Sequence, residues 1–164
     1  MGKSQPQLQI AYELFTDFAD LDIQDQELVQ QARQALGKAY APYSNFWVGA
    51  SLLLANQQIV QGCNQENLAY PSGLCAERVA LFSAGVLYPA QPILKLAVIA
   101  RHAHQPNDVP GCPCGACRQV MVEFEQKQQQ PYEVIFLTAA GFVKLSQAAH
   151  LLPFVFQADL GNKG

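Results

Sequence analysis

The sequence predicts an α/β protein, a three-layer α/β/α sandwich built on a mixed five-stranded sheet. Three observations carry this expectation. Five runs have strand patterning, the first two are close enough to form a hairpin, and from there strands alternate with apolar helical patterns.

Taken in order, residues 1–22 mix Gln, Pro, Asp and aromatics without clear periodicity and read as an extension that frays or packs on the surface. Residues 23–164 then read as one domain. Across 25–40 the spacing of Leu28, Ala32, Ala35, Leu36 and Ala39 is that of an amphipathic helix, and Pro42 stops it. After a loop at 41–46, runs 47–55 and 59–63 form a hairpin around Asn56-Gln57-Gln58. The apolar run 93–100 reads as a buried strand, and 132–138 and 142–145 supply two more strands joined through Gly141. Apolar helical patterns fill 76–86 and 116–125, and a third short one spans 146–152. The glutamine-rich stretch 126–130 reads as a helix end or loop.

A length of 164 residues suits a single domain with a sizeable core. Half the residues are hydrophobic and only 14% are charged, a low charged share that hints at buried subunit contacts. The net charge of -3 gives no basic footprint, so neither nucleic acid nor an anionic membrane is expected as a partner. A small neutral ligand fits better. No run reaches the roughly 18 apolar residues of a membrane span, and the amino terminus lacks the apolar core of a signal peptide. Met1-Gly2 is not followed by a myristoylation motif, because Pro6 stands where Ser or Thr is required. The expected location is cytoplasmic, and 5 cysteines there point to metal ligation or core packing ahead of disulfides.

The cysteines supply the chemistry. Cys75-Ala76-Glu77 and Pro113-Cys114-Gly115-Ala116-Cys117 each open a helical pattern. Cys114 and Cys117, three apart on a first helical turn, point the same way and can hold one ion. Cys75 and Glu77 diverge on a regular helix, so Cys75 must sit at the cap for Glu77 to lean over the same ion without binding it. Three thiolates leave a tetrahedral zinc one position for water, which separates a catalytic site from a structural one. Helix N-termini suit an electron-rich centre, and Arg78 is the obvious counter-charge, with Arg118 a second.

A lone Cys-x-x-Cys also fits a redox dithiol or a structural zinc, but the first does not explain Cys-Ala-Glu and the second needs a fourth ligand. Cys112, two residues before Cys114 with a proline between, has poor chelating geometry, and Cys63 reads as a small core residue. His102 and His104 read as exposed loop residues, and His150 has no visible partner.

With these residues goes a wider set: Tyr43-Ser44-Asn45-Phe46, Val48-Gly49-Ala50, Gly62-Cys63-Asn64-Gln65-Glu66-Asn67, Tyr70-Pro71, Cys75-Ala76-Glu77-Arg78, Pro113 to Val120, and Leu151-Leu152-Pro153. Over roughly residues 30 to 156 the chain resembles the cytidine deaminases of the small homotetrameric zinc type. The resemblance implies one zinc per subunit on Cys75, Cys114 and Cys117, and Glu77 as proton shuttle in the hydrolysis of cytidine, and of deoxycytidine with it, to the uracil nucleoside and ammonia. It further implies that Asn64 and Glu66 bind the ribose, that Phe46 lines the base pocket with Tyr43 and Tyr70 nearby, and that backbone near Ala76 holds the pyrimidine. It implies a pyrimidine-salvage role and a homotetramer with shared sites, Phe156 or its neighbour Phe154 reaching into an adjoining subunit.

Three other readings compete. A deaminase of a related aminated nucleoside or nucleoside antibiotic keeps the zinc motif, but Asn64 and Glu66 favour an ordinary ribonucleoside. A polynucleotide-editing enzyme needs a basic stripe that this chain lacks. A non-enzymatic zinc-stabilised module makes Glu77 dispensable.

Overall fold

The structure, a computed structural model, describes residues 4–157. Its frame is a six-stranded mixed sheet in the order β1-β6-β5-β4-β2-β3, formed by β1 (Glu13–Phe15), β2 (Phe46–Leu54), β3 (Ile59–Cys63), β4 (Ile93–His102), β5 (Glu133–Thr138) and β6 (Gly141–Leu145). Among the described residues the α-helices are α1 (Ile23–Leu36), α2 (Ala76–Leu87) and α3 (Gly115–Gln128).

The expectation of five strands is therefore corrected to six. The added strand lies inside the segment read as an extension, where Glu13–Phe15 pair antiparallel with Phe142–Lys144. It escapes a periodicity reading because it is only three residues long and most of its surroundings are exposed. The period-two spacing of Leu8, Ile10, Tyr12 and Leu14 is the signal that was available. The short 146–152 pattern forms a 3-10 turn over Ala148–Leu151.

Two features of the sheet place its functional edge. Of the six strands described, only β4 and β5 pair in parallel, connected through α3, while β2 pairs antiparallel with both β3 and β4. Hence β3 and β4 run the same way, and α2 and α3 both begin where those strands end. In α/β sheets that carboxyl edge is where ligands bind.

The sheet is buried on both sides. Leu28, Val29, Ala32 and Leu36 of α1 pack with Leu53, Ala97, Ile99 and Ile135, while Ala80, Leu81 and Met121 of α2 and α3 pack with Leu52, Leu96, Val98 and Val134. Alternation along the strands produces the two sets, as with Leu96 and Val98 against Ala97 and Ile99. Glycines let the helices approach closely: a Cβ on Gly49 meets the Ala32 carbonyl oxygen at 2.0 Å, and one on Gly62 meets that of Ala76 at 2.4 Å. The second contact seats the first turn of α2 directly on β3.

α1 starts at Asp22, whose side chain accepts from the Asp25 N–H at 2.8 Å. It ends at Leu36, before the expected 40, because Gly37 caps it and the backbone of Tyr40 turns to bond Asn64 and Glu66. α3 runs into the glutamine-rich stretch and stops at Gln129, which is left-handed with φ of 53°.

Candidate active site

The residues at the starts of α2 and α3 explain the site. Cys75 is the N-cap of α2 and Cys114 that of α3, both extended (φ -72° and -70°) and neither capping with its side chain. A Ser or Asp there would bond the first turn's N–H groups; a cysteine leaves its sulfur free to face the neighbouring helix. The Cys75 and Cys114 sulfurs are 3.9 Å apart, those of Cys114 and Cys117 3.5 Å, and all three lie within 4.8 Å of one another. A tetrahedral zinc with bonds of about 2.3 Å places its sulfur ligands about 3.8 Å apart, so these residues fit the ion. Among the described residues no other group of three His, Cys, Asp or Glu is so arranged.

The electrostatics agree. The Cys75 thiol is pulled down to about 5, first by the hydrogen bond from Cys117 and against its burial, with the Arg78 guanidinium also helping. That same bond, with burial and the Glu77 charge, drives the Cys117 thiol far upward. One thiolate is favoured and the second resisted, a conflict that a divalent cation removes. Arg78 Nη2 lies 3.9 Å from the Cys75 sulfur, while its Nε is buried without a partner. Arg118, the other expected counter-charge, turns elsewhere: Nε donates to the Pro113 carbonyl at 2.8 Å and Nη1 to that of Leu151 at 3.3 Å.

Glu77 stands in the first turn of α2, 4% exposed. Burial pushes its carboxyl up to about 7, with the Cys75 charge adding to the rise. With Cys75 and Cys114 it borders a cavity of about 580 Å³. Ala76 and Cys117 are fully buried at the helix starts. Cys112 borders the cavity without joining the sulfur cluster, and Cys63 packs with its sulfur between the Lys38 carbonyl and the Gln65 amide at 3.2 Å each.

The far wall carries Tyr43, Phe46, Asn64, Glu66 and Tyr70. Asn64 bridges β2, its Oδ1 accepting from Val48 N–H at 2.8 Å and its Nδ2 donating to the Phe46 carbonyl at 2.9 Å. Glu66 Oε2 accepts from the N–H groups of Tyr43 and Ser44 at 2.9 and 3.3 Å, and Oε1 from the Ser44 hydroxyl at 2.5 Å. The hydroxyl bond, partly offset by burial, lowers the Glu66 carboxyl below its ordinary value. Tyr43 and Tyr70 meet edge to face at 6.1 Å, as do Phe46 and His102 at 5.2 Å. His104 packs on Trp47 and faces no ligand cluster.

Phe156 stands apart from its own cavity, with Phe154 beside it; they are 82% and 89% exposed, and the Gln119 amide holds the Phe156 backbone at both N–H and carbonyl. Ser44 is a cavity residue that sequence reasoning left without a role, although it stands within the Tyr43-Ser44-Asn45-Phe46 motif.

Residues 22–132 match the family model for the cytidine and deoxycytidylate deaminase zinc-binding region. A cytidine deaminase of Sporosarcina psychrophila is 38% identical over 134 residues, covering 82% of this chain and 92% of the relative. One from Halalkalibacterium halodurans is also 38% identical, covering 82% and 95%. The crystal structure of cytidine deaminase from Burkholderia pseudomallei superposes with a TM-score of 0.66 at 42% identity, covering 79% of this chain and 97% of that one. The enzyme from Mycobacterium tuberculosis gives a TM-score of 0.62 at 33% identity, covering 84% and 100%.

Proposed function

The chain belongs to the cytidine and deoxycytidylate deaminase family, and from that premise we propose that it hydrolyses cytidine, and deoxycytidine with it, to the uracil nucleoside and ammonia. The observation that carries this reading is a three-sulfur cluster and a buried carboxyl outside that cluster meeting at one cavity.

Cys75, Cys114 and Cys117 would hold the zinc, which when bound would supply the Lewis acidity that makes water a nucleophile near neutrality. Glu77 takes a proton from the water that attacks C4 of the base and delivers it to N3. It then carries the second water proton to the exocyclic amine, which leaves as ammonia. Burial suits this double task, since a carboxyl raised toward neutrality both accepts and returns a proton. Arg78 offsets the negative charge of the sulfurs, and the α2 backbone at Ala76 meets the pyrimidine edge.

Across the cavity, Asn64 and Glu66 take sugar hydroxyls while Phe46, with Tyr43 and Tyr70 beside it, lines the base. We take residues 23–164 as one deaminase domain in a three-layer sandwich, supported by the separate cores on the two sheet faces. The active assembly is read as a homotetramer in which Phe156 completes a neighbour's cavity, supported by its outward setting beside a fixed backbone. A cytoplasmic location is supported by the unpaired cysteines, three of them grouped for metal.

The test is steady-state turnover of cytidine and of free cytosine by purified protein. Cytidine is expected to be the far better substrate. Equal turnover of cytosine contradicts the sugar assignment, and no ammonia from either contradicts the activity.

A further inference from the structure

One hydroxyl joins the two halves of the nucleoside cavity. Ser44 Oγ donates to Glu66 Oε1 at 2.5 Å and accepts from the Phe46 N–H at 3.0 Å. The Phe46 carbonyl is held by Asn64 Nδ2 at 2.9 Å, so both backbone groups of the aromatic residue are fixed by side chains of the cavity wall. Between Ser44 and Phe46, Asn45 takes a left-handed turn with φ of 53°, and its carbonyl accepts from Ala103 N–H at 2.7 Å. The loop is therefore anchored on both sides of the serine.

Glu66 shows what the hydroxyl does. It is a half-buried side chain on a loop, and the donors it meets set which way the carboxylate faces. A carboxylate has about four acceptor positions. Two N–H groups and the Ser44 hydroxyl occupy three of them, leaving one, in a fixed orientation, for a sugar hydroxyl. A serine hydroxyl bonding the N–H two residues on is ordinary turn chemistry. That explains the Phe46 contact, but not the simultaneous donation to a carboxylate 22 residues away.

We propose that Ser44 is a positioning residue that locks the Glu66 carboxylate and the Phe46 backbone to one another, so that the sugar and base contacts of the cavity are set as one unit. This rests on the reading of Glu66 as a sugar-binding residue. Ser44 touches no reacting atom, so its effect falls on nucleoside binding and spares the proton chemistry of Glu77.

The experiment is a kinetic cycle on the zinc-loaded enzyme with Ser44→Ala, Glu66→Ala and their combination, and with Ser44→Thr as the conservative variant. Losing a hydrogen bond to a charged group is expected to raise KM for cytidine about tenfold in Ser44→Ala, with kcat within about twofold. Zinc per subunit is expected to be unchanged. Ser44→Thr, which keeps the hydroxyl, returns KM to within about threefold, and adding Ser44→Ala to Glu66→Ala shifts KM by less than about twofold. A wild-type KM in Ser44→Ala, a full penalty persisting in the Glu66→Ala background, or a fall in kcat together with zinc loss each overturns the proposal. An unchanged KM in Glu66→Ala overturns the sugar reading instead.

Discussion

On the α1 side of the sheet Asp25 is fully buried, and both its oxygens are matched, by Lys95 at 2.5 Å and Lys144 at 2.8 Å. On the α2–α3 side Glu77 is nearly as enclosed, yet among the described residues no cation forms an ion pair with it; it shares the start of α2 with Cys75 and with an arginine whose Nε has no partner. Both regions bury charge, but only one completes the pairing from its own side chains. A matched buried network fixes how strands and helix register. On the proposed reading an ion and a substrate complete the unmatched one, so the second region should answer to mutation in turnover and the first in stability.

Glu77→Gln is the sharpest break between the two. It preserves shape and removes the proton carrier, so kcat should fall by about a thousandfold, the usual scale of general acid–base catalysis. Zinc content and melting temperature should hold. Asp25→Asn does the opposite. It leaves two lysines without their main partner and should cost about 3 kcal/mol of unfolding free energy in urea, with kcat at 25 °C little changed.

The third effect appears only in zinc-stripped protein. Glu77 has a folded pKa of about 7, raised by burial from an ordinary 4.5. Its protonated form is thus favoured by folding, and that stability is present below pH 4.5 and lost as pH rises through about 7. The metal-free protein should lose about 3 kcal/mol across this window on this account, and metal-free Glu77→Gln should lack that component, as read by denaturant melts at pH 5 and 8.

The smallest effect tests the paired side again. Asp108 bridges Arg33 at 2.6 Å and Arg101 at 2.6 Å, pinning the β4–α3 loop to α1. Asp108→Asn should cost about 1 kcal/mol, being partly exposed, with turnover per zinc-loaded subunit unchanged.

The active-site side was the more legible of the two regions. Cys75 and Glu77 could be placed because a spacing of two is incompatible with one face of a regular helix, which forces the cysteine to the cap. Cys114 and Cys117 follow from a spacing of three. The charge network was not legible, because Asp25, Lys95 and Lys144 are brought together by three elements far apart in sequence, and each alone reads as a surface charge. Arg118 shows the same limit: adjacency to Cys117 suggested a sulfur contact, while the side chain is satisfied by the carbonyls of Pro113 and Leu151. β1 was missed because three residues at a sheet edge depend on β6 for their structure.

The central claim, that the sulfur cluster and Glu77 act together on a cytosine nucleoside, is tested most directly by the ultraviolet change from cytidine to uridine with one protein sample in three states: zinc-loaded, zinc-stripped and zinc-restored. Conversion in the first, its loss in the second and its return in the third, with one zinc per subunit regained, is the predicted result. Undiminished conversion by fully stripped protein, or none by the loaded protein, would contradict it.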